Sequence, residues 1–207
     1  MRIGIVLCVA VTSAALGALA ATPWQDAKAK AKAGGEPSQP SAQEMEAMMK
    51  AATPGEEHKA LADMVGRWKS KVDIYMKPGE PPMTSTGTDE FKMDMDGRFL
   101  VQEHTGDMMG QPFKGHGIYG YDNVSGEYQS IWYDNMGTQI MAAKGAKSAS
   151  PGDLKLAGKF TCPIHGASEF REELKKVSDN EYEFKMYTTY PGEPEYQSLD
   201  IKYTRAQ

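Results

Sequence analysis

Apolar residues recur with a helical spacing between Ser41 and Gly66. Ser41 and Glu44 form a capping-box pattern at the start of the first stretch. Its apolar face consists of Met45, Met48, Met49 and Ala52. Pro54 marks a second start, because proline is well tolerated in the first turn of a helix. The spacing predicts two short helices, the first of them rich in methionine.

From position 68 onward, apolar and polar side chains alternate with a period of two. Val72 and Ile74 flank Asp73, as in a strand with one buried face. Short segments of this kind, rich in Tyr, Phe, Thr, Val and Ile, are separated by turn signals such as the Asp-Gly pair at 96–97. The pattern predicts an all-β fold, an antiparallel sandwich or barrel of about eight to ten strands with a short N-terminal helix.

The first twenty residues have the composition of a secretory signal peptide. Arg2 provides a short positive start, residues 3–19 form an uncharged apolar run, and small residues precede and include Ala20. The run is short for a membrane span, although a retained single-pass anchor is the alternative. We expect cleavage after Ala20 and export to the periplasm or the medium, with no membrane span after cleavage.

The segment that follows resembles a tether. Residues 21–40 combine alternating Lys and Ala with Gly, Pro, Ser and Gln, which leaves little apolar surface to bury. We therefore expect three parts: a signal peptide over 1–20, a flexible linker with the methionine-rich helix over 21–55, and a barrel domain over 56–207.

Composition excludes some classes of protein. The 207 residues fit one domain with attachments, and the net charge of -5 comes without a basic block. A nucleic-acid surface needs clustered Lys and Arg, so we expect no nucleic-acid partner. Because Cys8 would leave with the signal peptide, Cys162 would have no internal disulfide partner.

A tryptophan and an arginine suggest how the sheet closes. Gly66-x-Trp68 begins the first strand, and Tyr203-x-Arg205 ends the last. This resembles the lipocalin/calycin arrangement, in which a tryptophan plugs the closed end of the barrel and an arginine stacks across it. Such a contact contributes about 0.5–2 kcal/mol. The alternative is a core aromatic residue and a solvated terminal charge.

Further motifs widen the resemblance. They are Glu57-His58-x-x-Leu61, Gly66-x-Trp68, Gly115-x-Gly117, Gly120-Tyr121-Asp122, Trp132-x-Asp134 and Tyr203-x-Arg205. In this order, they resemble the bacterial domain-of-unknown-function family 1579 over about Glu56 to Gln207. The resemblance implies a calycin-like β-barrel and no established activity. The stretch from Thr161 to Gly166 departs from the family pattern and leaves a metal or redox role open.

Alternation groups aromatic residues on candidate inner faces. Tyr119 and Tyr121 share one face of their strand and His116 lies on the other, so one of these sets faces inward. Tyr128 and Trp132 share a face of the next strand. Aromatic walls with a few polar groups are typical of small-molecule pockets. We predict that all five residues are candidates for binding a small apolar or amphipathic ligand, and a filled core is the alternative.

The sequence contains no familiar catalytic motif. Glu103 and His104 are neighbours in a strand, so their side chains point to opposite faces. Glu57 and His58 diverge on a helix, and no phosphate loop, dinucleotide fingerprint or Gly-x-Ser-x-Gly motif occurs. We assign no catalytic residue and no particular cofactor. An enzyme of unrecognised mechanism is one alternative function.

A metal or haem site is another alternative. Cys162 and His165 have a spacing that metal sites use, although a structural zinc site needs four ligands. Close methionines occur at Met48-Met49, Met93-x-Met95 and Met108-Met109. Thioether, thiolate and imidazole ligands suit Cu(I), and His116 could contribute to a metal or haem site. Alternation instead predicts Met93 and Met95 on one core face. The methionine-rich helix could also dock a partner protein.

Overall fold

The computed structural model describes residues 39–148, 150 and 153–206. Its helices are α1 (Ala42–Ala52) and α2 (Glu56–Ala62). Its strands are β1 (Gly66–Ile74), β2 (Met83–Asp94), β3 (Phe99–Met108), β4 (Gln111–Asp122), β5 (Glu127–Asp134), β6 (Met141–Ala146), β7 (Leu154–Cys162), β8 (Gly166–Ser178), β9 (Glu181–Thr189) and β10 (Tyr196–Arg205). The predicted signal peptide and most of the tether lie outside the described residues.

The ten strands form one closed antiparallel barrel. Each strand pairs with its neighbours in the chain, and β10 returns to pair with β1. In this closing pair Trp68 lies opposite Arg205 and Val72 lies opposite Ile201. Closure leaves no unpaired edge among these strands. The predicted all-β barrel is confirmed, and its ten strands reach the upper end of the expected range.

The two ends of the barrel differ. The end that carries α2 also carries the β2–β3, β4–β5, β6–β7 and β8–β9 connections, because antiparallel strands alternate in direction. We call it the helix end. The opposite end, which we call the open end, carries the other strand connections. No helix among residues 39–206 that the structure describes is long and apolar enough to cross a membrane.

Trp68 plugs the helix end. Its side chain is fully buried and its indole N–H donates to the backbone carbonyl of Met64 at 2.7 Å. The guanidinium carbon of Arg205 lies 4.1 Å from the centroid of the Trp68 ring. Arg205 also donates to the backbone carbonyls of Asp63, Val65 and Asp179. This is the geometry that the lipocalin resemblance implied.

Helix α2 is fixed to the barrel through His58. The backbone N–H of Gly55 donates to His58 Nδ1 at 3.0 Å, and the buried imidazole packs edge-on against Tyr121 at 5.9 Å between ring centroids. Tyr128 donates its hydroxyl to the backbone carbonyl of Glu57 at 3.5 Å. His58 therefore caps and positions the helix.

Helix α1 is anchored at its C-terminal end. Arg98 donates to the carbonyl of Ala52 at 2.9 Å, and Asn123 donates to the carbonyls of Ala51 and Thr53. The helix has no buried residue. Its methionines, Met45, Met48 and Met49, are exposed.

The hairpin between β2 and β3 corrects one prediction. Because β2 ends at Asp94, its alternation does not reach Met95, which lies in the turn at a φ of 48° and is exposed. Met93 packs against the core. The expectation that both methionines share a core face was wrong.

The seam between β6 and β7 is the most weakly paired in the described barrel. Two residue pairs, Ala143 with Gly158 and Lys144 with Ala157, join these strands, whereas each other pair of neighbours shares six or more. The backbones approach closely here, because a Cβ atom on Gly158 would collide with the carbonyl of Ala142.

Candidate functional site

The register of the strands assigns the inner faces. Tyr119 lies opposite Leu100 on β3 and Ser130 on β5, both of which are buried. Tyr119 and Tyr121 therefore point into the barrel, and so do Tyr128 and Trp132 on β5. This settles the choice between the two faces that alternation left open.

His116 lies on the outer face, which corrects its prediction as an interior ligand-binding residue. Its neighbours Gly115 and Gly117 occupy the buried face of β4, so alternation directs the histidine outward. The exposed imidazole stacks on Tyr133 at 5.3 Å between ring centroids. His116 therefore does not line the interior.

The four inward aromatic residues occupy different depths. Tyr121 and Tyr128 pack together at 4.9 Å near the helix end. Burial raises the pKa of Tyr128 to about 12. Tyr119 lies in the middle of β4. Trp132 lies toward the open end and donates its indole N–H to Asp134 Oδ2 at 2.9 Å. They line the length of the lumen and do not form a single wall.

An inward carboxylate that the sequence analysis missed lies on β2. The Asp89 side chain has no solvent exposure, and its Oδ1 accepts a hydrogen bond from Gln102 Nε2 at 2.7 Å. His104 Nδ1 lies 2.9 Å from the same oxygen. The other oxygen, Oδ2, is buried without a hydrogen-bond partner among the described residues.

Gln102 links Asp89 to two tyrosines. Its Nε2 lies 3.3 Å from the hydroxyl of Tyr203, and its Oε1 accepts a hydrogen bond from the Tyr119 hydroxyl at 3.2 Å. The linked side chains belong to β2, β3, β4 and β10. The amide thus orders a polar layer across four strands of the barrel.

A second buried carboxylate lies on β8. Glu172 Oε2 accepts a hydrogen bond from Ser130 at 3.0 Å. Burial raises the pKa of Glu172 to about 7, although the hydrogen bond from Ser130 opposes this shift. Burial also raises the pKa of Tyr119, and the charges of Glu172 and Asp89 raise it further. Gln102 and Ser130, the hydrogen-bond partners of the two carboxylates, lie on the two strands that flank Tyr119.

We call these inward side chains the interior polar cluster. Its members are Ser70, Asp89, Gln102, His104, Tyr119, Ser130, Glu172 and Tyr203. Two of its buried atoms, Ser70 Oγ and Asp89 Oδ2, have no hydrogen-bond partner in the described part of the chain. Leaving such a group unpaired costs about 1–3 kcal/mol. The cluster therefore offers hydrogen-bonding positions to water or to a bound molecule.

Partly exposed apolar and aromatic side chains accompany the cluster on the inner face of the barrel. Several inward side chains keep partial solvent exposure: Met93, Tyr119, Trp132, Met141, Phe160, Met186, Leu199 and Ile201. A recess of about 260 Å³ lies at the β7–β8 hairpin, where it is lined by the inward Phe160 and Ser168 and by outward residues such as Lys159 and Glu169. The inner surface is therefore not sealed from solvent, in contrast to the fully buried Trp68 and Leu100.

Glycines keep two rings against the wall of the lumen. A Cβ atom on Gly115 would collide with the indole of Trp132, and one on Gly87 would collide with the imidazole of His104. Because these positions lack a side chain, both rings can lie close to the backbone of the neighbouring strand.

The metal hypothesis finds little geometric support. Cys162 is buried at the end of β7, whereas the exposed His165 stacks on Tyr190 at 4.0 Å and lies 3.9 Å from Glu193. Among the described residues, no group of three or more His, Cys, Asp or Glu side chains is arranged to hold a metal ion. Met109 lies in a turn and is exposed.

Strand alternation contained the signal for the missed carboxylates. Asp89 precedes Phe91 by two positions, and Glu172 lies midway between Phe170 and Leu174. The register that buries the three apolar residues also buries the acidic ones. Their hydrogen-bond partners come from other strands, so the sequence did not reveal the pairing of Asp89 with His104.

Sequence comparison identifies one family. The family described as "Protein of unknown function (DUF1579)" matches residues 53–205. No curated protein sequence matches the chain.

Two solved structures share the barrel fold. Rv2717c from M. tuberculosis is 14% identical with a TM-score of 0.55, and the match covers 75% of this chain and 100% of that one. The S-type phycobiliprotein lyase CPES from Guillardia theta is 7% identical with a TM-score of 0.52, covering 77% of this chain and 97% of that one. At such low identity, these likenesses show the fold alone.

Proposed function

We propose that this chain, which belongs to the DUF1579 family, binds a small amphipathic molecule inside its barrel. The main support is the buried oxygen Asp89 Oδ2, which has no partner among the described residues. Native proteins seldom leave a buried carboxylate oxygen unpaired, because its desolvation is not compensated. A ligand with a polar head group that donates a hydrogen bond would give Asp89 Oδ2 the partner it lacks.

The rest of the lumen suits the apolar part of such a molecule. Met141 and Met186 point inward from two strands and remain partly exposed. Methionine side chains are flexible and adapt to ligands of irregular shape. Phe160 and Ile201 add apolar surface. A polar cluster beneath apolar walls is the usual composition of a small-molecule site.

The site is proposed to work outside the cytoplasm. The composition of residues 1–20 supports a cleaved signal peptide and export to the periplasm or the medium. The mature protein would begin at Ala21. Its role would then be to bind or carry the ligand in that compartment, without forming a covalent bond to it.

Native mass spectrometry of the protein from the exported fraction tests both the binding of a ligand and the export of the protein. We expect a protein mass that begins at Ala21, together with a bound organic molecule. Met141→Trp should fill the lumen and abolish the bound mass, because Met141 points inward. Ala142→Trp is the matched control, since Ala142 is exposed on the outer face of the same strand.

Two results would contradict the proposal. The first is a wild-type protein that carries no organic ligand. The second is a folded Met141→Trp variant that retains the ligand. Met186→Trp repeats the test from β9, so a folding defect in one variant does not decide the outcome.

A further inference from the structure

We propose that the polar head group of the ligand is a protonated amine that binds between Asp89 and Glu172. This inference rests on the proposed function, because it concerns the same lumen. The geometry that points to an amine is an acidic interior without a matching internal cation. Such an interior favours a cationic ligand over an anionic one such as a fatty acid.

The interior polar cluster contains two carboxyl groups and one imidazole. His104 contacts Asp89 at 2.9 Å, so its ring can neutralise at most one of the two carboxylates. The partner of Glu172 is the hydroxyl of Ser130, which carries no charge. A buried carboxylate without a cation is costly and attracts a positive group.

No protein cation serves this role among the described strands. Lys176 and Arg205 share the inward register, but both lie at the helix end. Lys176 Nζ pairs with Asp63 at 2.9 Å and with Asp179 at 3.0 Å. Arg205 covers Trp68 from that end. Both cations are thus engaged at the helix end of the barrel.

The two carboxylates are connected through Tyr119. Its hydroxyl donates to Gln102, the partner of Asp89, and Tyr119 lies opposite Ser130, the partner of Glu172. Burial raises the pKa of Tyr203, and the charges of both Asp89 and Glu172 contribute to the increase. The same two charges act on Tyr119. An ammonium group bound near these hydroxyls would therefore face both acidic side chains.

The hydrogen-bonding capacity of an ammonium group matches the unpaired acceptors. It has three N–H donors and no acceptor. Asp89 Oδ2 and Ser70 Oγ are buried acceptors without a partner in the described residues. A carboxylate head group would add a third negative charge and no donor, so Asp89 and Glu172 would repel it.

Calorimetric titration with ligands of one tail length tests the inference. Octylamine, octanoate and octanol are titrated into the full mature chain at pH 8, where Glu172 is largely ionised. We expect octylamine to bind at least tenfold more tightly than octanoate. Asp89→Asn should remove most of this preference. Glu90→Gln is the matched control, because Glu90 lies on the outer face of the same strand and pairs with Lys92.

The outcomes separate this inference from the proposed function. If octanoate or octanol binds as tightly as octylamine, the amine assignment is wrong while ligand binding stands. If all three molecules fail to bind and the native protein also carries no ligand, the proposed function fails as well. Glu172→Gln gives a second test that does not depend on the folding of Asp89→Asn. An unchanged preference for the amine in both folded variants would overturn the inference.

Discussion

Two acidic residues lie inside the barrel because the alternation of side chains along their strands places them on the buried face. Asp89 shares the face of Phe91, and Glu172 shares the face of Phe170 and Leu174. Each is buried because its apolar neighbours are buried, although burial disfavours the charged form of a carboxyl group. Gln102 and Ser130 compensate part of this cost. The polar interior is therefore maintained at some expense of stability, as expected of a binding site.

Glu172 should make the stability of the barrel depend on pH. Its pKa is about 7 in the folded protein, against an ordinary value of 4.5. Between these values the folded state keeps a proton that the unfolded state has lost. The free energy of unfolding therefore falls by about 3 kcal/mol as the pH rises through this window. Glu172→Gln removes this contribution.

Urea unfolding of both proteins at pH 4 and pH 8 checks the prediction. The stability of Glu172→Gln relative to the wild type should increase by about 3 kcal/mol from the lower to the higher pH. Glu169→Gln removes an exposed carboxylate from the same strand and serves as the control. Parallel pH profiles for Glu172→Gln and the wild type would show that Glu172 is not buried as described.

At the scale of elements, the β6–β7 seam combines short pairing with close backbone approach. A Cβ atom on Gly158 would meet the carbonyl of Ala142 and the ring of Phe170. Small-to-large changes in packed regions typically cost about 1–3 kcal/mol. We expect Gly158→Ala to reduce the free energy of unfolding by this amount, measured by chemical denaturation.

Gly137→Ala is the matched control for this change. Gly137 lies in the β5–β6 connection, and a Cβ atom added there would meet its nearest neighbour, the backbone nitrogen of Gln139, at 4.0 Å. Its substitution should change stability by less than about 0.5 kcal/mol. Equal effects of the two substitutions would contradict the close approach at the seam.

Local spacing predicted the elements better than it predicted the site. The period of two indicated an all-β sandwich or barrel, and the Trp68 and Arg205 motifs favoured the barrel through their resemblance to lipocalins. Alternation grouped Tyr119 with Tyr121 but could not choose the inner face, since that choice depends on pairing with Leu100 across strands. For the same reason His116 was placed among the candidates. The contact between Asp89 and His104 joins two strands and has no signature in a single strand.

At the scale of the whole molecule, the proposed function assigns a structural role to the helix end and ligand entry to the open end of the barrel. The helix end is closed by Trp68 and Arg205, whose contacts are internal. Toward the open end, inward side chains such as Trp132 and Phe160 remain partly exposed. A ligand that enters from the open end would meet apolar walls first and the interior polar cluster beneath them. This arrangement suits an amphipathic molecule that enters head first.

A crystal structure of the full mature chain grown with octylamine tests this account most directly. We predict one octylamine in the lumen, with its nitrogen within hydrogen-bonding distance of Asp89 Oδ2 and its tail against Met186 or Ile201. A lumen that contains water alone at a saturating amine concentration, or an amine bound on the outer surface, would contradict the central claim that the barrel interior is the binding site.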